Sequence, residues 1–184
     1  MTAHHFILII EGSDLQAEGS IDALFLAGCD DATVGRVGAT QYVDFDREAE
    51  TLADAVFAAT ADIEAAVPGT RVLHVEPDEL VTMAEIAERT GRTRESVRLL
   101  INGQRGPGGF PPPATHFKSR NRMWEWQEVA AWFAEILNEQ PVDGDSTRSG
   151  FIAAFNAGLR LRRTAEKLNE SERRRIRELV GQQR

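Results

Sequence analysis

Residues 103–113 read GQRGPGGFPPP, with four glycines and four prolines in eleven positions. Proline lacks the backbone N–H that a helix interior or central strand must donate, and glycine loses the most entropy in either. This stretch is a loop, and the ordered elements on its two sides are separate. No apolar run in the 184 residues reaches the ~18 that a membrane span needs. The length suits one or two domains, each able to bury a core.

Ahead of that loop the chain alternates between strand and helix patterns. Residues 5–11, HFILIIE, predict a buried strand that ends at Gly12. Ser20 is expected to cap a helix carrying Ile21, Leu24 and Phe25 on one side and ending at Gly28. Residues 33–37 and 41–45 predict a hairpin turning near Gly38 and Ala39. There Val43 and Phe45 alternate with Asp44 and Asp46, so one face is wet. Residues 48–67 place Leu52, Val56, Ala59, Ile63 and Ala66 on one helical stripe, stopped by Pro68 and Gly69. Residues 71–75 predict a last strand. The order β-α-β-β-α-β is that of a ferredoxin-like unit, an antiparallel sheet with two helices on one face. The expected fold class is α+β, with a first domain at residues 1–76 and a linker at 76–80 around Pro77.

Residues 81–138 follow another pattern. Thr82 and Glu85 form a capping-box signature for a helix over residues 83–90, and Gly91 is expected to break it with a positive φ. A second helix begins at Thr93 and runs to Asn102, with Val97, Leu100 and Ile101 apolar. These spacings, with the small Ala87 where two helices would cross, are those of a helix-turn-helix; the plainer reading is a helical hairpin with a solvated basic face. Phe117 and residues 122–126 are expected to form a two-stranded ribbon, and residues 127–138 a helix with Val129, Trp132, Phe133 and Ile136 on one side. Trp124, Trp126 and Trp132 read as core and Phe110 as a plug for the loop. Residues 141–150 read as a second linker, and residues 150–184 as a helical segment for dimerisation or packing.

The segment resembles the winged helix-turn-helix modules of MerR-type regulators and excisionase-like proteins. The residues that carry the resemblance are Glu85-Ile86-Ala87, Gly91-Arg92-Thr93, Ser96-Val97, Gly109-Phe110-Pro111, and Trp124-Glu125-Trp126 through Val129-Ala130-Ala131-Trp132. The match covers about residues 81–137 and says nothing of residues 1–75. It implies a wing bearing His116, Lys118, Arg120, Asn121 and Arg122 close to a nucleic-acid backbone. The long coiled coil and effector domain of full MerR regulators are expected to be missing.

Charge is distributed unevenly. Residues 1–80 hold sixteen acids and three bases, whereas residues 81–122 hold eight bases and three acids. The acidic part would be repelled by a phosphate backbone, and the basic part would be attracted. On the second helix Thr93, Arg94, Glu95, Arg98 and Asn102 are expected to face outward, where arginine can read guanine and asparagine adenine. Arg92, Lys118, Arg120 and Arg122 are expected on phosphates.

Other chemistry finds little footing. The adjacent His4 and His5 would point to opposite faces of a strand, and the single cysteine, Cys29, permits no thiolate zinc site and reads as a small buried hydrophobe. The glycine-rich loop lacks the Gly-Lys-Ser/Thr ending of a phosphate loop. The aspartates match no calcium loop, and no nucleophile–base set is visible. The expectation is a cytoplasmic, non-enzymatic regulator without cofactor or metal, binding double-stranded DNA as a homodimer. The alternatives are an antitoxin-like or phage-related adaptor whose acidic domain holds a basic protein, and a small-molecule sensor.

Overall fold

The computed structural model describes residues 1–77, 80–116, 118–119, 121–139 and 146–181. The fold is α+β, with a mostly antiparallel sheet system and seven helices among the described residues. The first unit contains β1 (Thr2–Glu11), α1 (Glu18–Leu26), β2 (Ala32–Val37), β3 (Thr40–Ala49), α2 (Leu52–Ala66) and β4 (Arg71–Glu76). Its sheet order is β2-β3-β1-β4, with every pairing antiparallel. Alternation along β1 and β3 turns Phe6, Leu8, Ile10, Val43 and Phe45 inward. Those side chains meet Val56, Ala59 and Ile63 of α2 in one core.

The element order read from the sequence is present, but several boundaries move. Ser20 does not cap α1: the helix starts at Glu18 with Ala17 at its N-cap. A turn upstream, where the Ala17 N–H reaches the Asp14 carbonyl at 3.4 Å, already winds the chain. β3 runs on to Ala49 because β1 begins at Thr2 and pairs with it that far. The second helix therefore starts at Leu52, with the Thr51 side chain accepting from the Asp54 N–H.

The second unit holds β5 (Leu80–Thr82), α3 (Met83–Arg89), α4 (Arg94–Ile101), β6 (Met123–Glu125) and α5 (Trp126–Ile136). The expected linker at 76–80 ends in β5, whose Val81 pairs with Trp124 of β6. The ribbon partner of β6 is thus a strand from before the helix pair. Thr115 adds an isolated bridge to Met123 on the other side, while Phe117 lies outside the described residues. Trp124, Trp126, Trp132, Val129 and Phe133 are buried with Ile86, Val97 and Leu100 in a second core.

The last helices are α6 (Ser146–Ala165) and α7 (Glu170–Gly181). α6 starts at Ser146, inside the stretch expected to be a linker; residues 140–145 lie outside the described residues. α6 packs on the first unit, with Ile152 and Leu159 in its core. Its Asn156 lies along the free edge of β4, accepting from the Val75 N–H at 2.8 Å and donating to the Val75 carbonyl at 3.0 Å. Arg162 forks onto Glu64 of α2 at 2.6 and 3.0 Å, and Arg71 pairs with Glu166. No helix among the described residues is long and apolar enough to cross a membrane.

Candidate nucleic-acid interface

The α3–α4 pair is fixed at both ends by local chemistry. Thr82 Oγ1 accepts from the Glu85 N–H at 3.3 Å, and the Glu85 carboxylate accepts from the Thr82 N–H at 2.6 Å. Hydrogen bonds from the Thr82 backbone and hydroxyl hold the Glu85 carboxyl below the usual carboxylate range. Gly91 turns the chain with φ 64°, a region where a side chain would be strained. The Arg92 N–H donates to the Ala87 carbonyl at 2.8 Å, and Thr93 caps α4 by accepting from the Ser96 N–H.

Burial of Val97 and Leu100 against the tryptophan core decides which side of α4 remains outside. Thr93, Arg94, Glu95 and Asn102 are exposed, and Arg98 is half-buried. Arg94 forms no ion pair among the described residues. Arg98 is engaged by Glu95 one turn earlier, through bonds of 2.8 and 2.6 Å. Those bonds from Arg98 keep the Glu95 carboxyl below its ordinary range, and Glu95 raises the guanidinium of Arg98.

Arg92 is placed differently from the expectation. It grips both oxygens of Glu139 at 2.7 Å and lies 5.5 Å over the Phe133 ring, tying the turn to the end of α5. Arg122 also folds inward, 5.5 Å over Trp124. Lys118 and Asn121 are exposed in the turn between Thr115 and Met123, and Arg120 lies outside the described residues. So α4 and this turn bring Arg94, Arg98, Asn102, Lys118 and Asn121 to the exterior, whereas Arg92 and Arg122 pack against the core.

The Gly/Pro loop is held by two indoles. Trp124 Nε1–H donates to the Pro111 carbonyl and Trp132 Nε1–H to the Gly108 carbonyl, each at 3.2 Å. Phe110 fills the space between, its ring 5.0 Å from that of Trp132. Arg105 is exposed in the same loop just beyond α4. It was missed as a site residue; its signal was a single base in a glycine-rich stretch directly after the second helix. Among the described residues no three His, Cys, Asp or Glu side chains gather as a metal would require.

No protein-family profile, no curated protein and no solved structure matches the chain.

Proposed function

We propose that the protein is a sequence-specific regulator of transcription that binds double-stranded DNA. In this reading residues 1–76 are a ferredoxin-like domain and residues 81–138 a winged helix-turn-helix. α4 enters the major groove, and the turn carrying Lys118 and Asn121 lies on the backbone. The observation that carries the reading is the two-sided character of α4. Val97 and Leu100 are buried, while Arg94 and Asn102 are exposed and no described residue covers them. Arg94 is the first choice for a guanine reader, and Asn102 for an adenine contact. Arg105 joins Lys118 as a phosphate contact, and Arg92 acts as a brace that sets the angle of the turn.

Selection of bound fragments from sheared genomic DNA, followed by band-shift titration, tests this. A discrete site is expected, bound more weakly as salt rises. Arg94→Ala should weaken that site by ~1–3 kcal/mol while leaving non-specific binding little changed. Recovery of no enriched fragment at low salt would remove the proposal.

A further inference from the structure

α1 and α7 carry matching exposed ridges of opposite charge. On α1, Ile21 and Phe25 are 47% and 64% exposed and lie one turn apart, beside Glu18 and Asp22, also one turn apart. On α7, Ile176 is half-buried and Val180 is 66% exposed, beside Arg173 and Arg177. Among the described residues none of these four charged groups forms an ion pair. α7 has no buried residue at all. Arg173, Ile176 and Arg177 border an open cavity with Leu161, Ala165 and Leu168, and a helix of twelve residues with so little cover is marginal in water without a further surface to pack on.

The spacing fixes how the two helices fit. In each, the charged pair precedes the apolar pair by three residues, so the ridges lie in the same sense around both helices. Antiparallel packing then sets apolar ridge on apolar ridge and arginines on carboxylates. Parallel packing sets charge against Phe25 and Val180. We propose that α7 of one copy docks antiparallel on α1 of a second copy, and that twofold symmetry makes the contact reciprocal, giving a homodimer. The charge match selects this occupant: α1 holds acids and no base, and the ridge of α7 facing it holds Arg173 and Arg177. The inference does not depend on DNA binding, since its readout is mass in the absence of DNA.

The test uses the full chain and two charge reversals, Glu18→Arg with Asp22→Arg, and Arg173→Glu with Arg177→Glu. Alone, each variant has two ridges of one sign and should dimerise about tenfold more weakly or worse by sedimentation velocity. Mixed, they restore both contacts and should form a 1:1 heterodimer of native affinity. Far-UV circular dichroism confirms that each variant is folded, since all four positions are on exposed helix faces. A native chain that stays monomeric, reversals that leave the dimer intact, or a mixture that does not recover would each overturn the proposal. So would recovery of the native chain as a monomer bound through α1 to another basic protein.

Discussion

Arg98 and Glu95 illustrate how one pair of side chains can tune a surface. Their bonds lie on the outer side of α4, where α4 would meet a duplex. Glu95→Gln leaves α4 in place, removes a negative charge and releases Arg98. Under the proposed function, DNA binding should tighten and discriminate less between sequences, read by competition band shifts against bulk DNA. Because Glu95 is held below its ordinary carboxylate range, whatever it adds to folding is present above its unfolded pKa. That contribution is lost only as pH falls through the lower folded value. Carbon-detected titration of its carboxylate should show the depressed midpoint disappear in Arg98→Ala.

Two buried groups in the first unit show the same scale at work in the core. The Cys29 thiol is pushed up by burial, partly offset by the guanidinium of Arg47 nearby. It should react with a thiol reagent at pH 8 only as fast as the domain opens. Arg47 is buried and binds Asp31 at 2.8 and 3.0 Å, Asp62 at 2.8 Å and the Gly28 carbonyl at 2.7 Å. Burial opposes its charge, but the hydrogen bonds to Asp31 and Asp62 outweigh that and raise its pKa. Arg47→Ala strips two carboxylates of their partner and should cost about 3 kcal/mol in urea unfolding.

At the scale of elements, the edge of β4 is the sharpest case. An open strand edge offers unpaired N–H and C=O groups, and here the Asn156 amide occupies both groups of Val75. Asn156→Ala should leave that buried donor and acceptor without partners, at a cost of about 2–4 kcal/mol by denaturant titration. Asn156 carried no signal in the sequence, where a polar residue between Phe155 and Ala157 looks like solvent-facing helix. Its role exists only because α6 returns across 81 residues to the strand. The α3 capping box is the opposite case: Thr82 and Glu85 are three residues apart, and their pairing was legible before any tertiary contact. Thr82→Ala should destabilise the second unit by about 1 kcal/mol.

At the scale of the whole molecule, α6 packs in the first core and touches α5 of the second unit. Ile152 and Leu159 pack in the first, and a side chain at Gly150 would strike Gln127 of α5 at 2.8 Å. All three tryptophans lie in the second unit, so their fluorescence reports on it alone. Unfolding followed by tryptophan fluorescence and by far-UV circular dichroism should coincide in the native chain. The two traces should separate in Asn156→Leu, where α6 loses its hold on β4.

Local periodicity, turn chemistry and caps depend on neighbours a few residues apart, so the β-α-β-β-α-β order, the helix pair around Gly91 and the tryptophan core are legible in the residues alone. Partners far apart in the chain were beyond that reach. Folding alone decided that β5, a strand from before the helix pair, would pair with β6 and that Arg92 would be drawn to Glu139. It also made α6 the cover of an exposed strand edge. Each of those outcomes follows from which unsatisfied backbone group or charge the packed chain brings within hydrogen-bond range, and no local pattern encodes that distance.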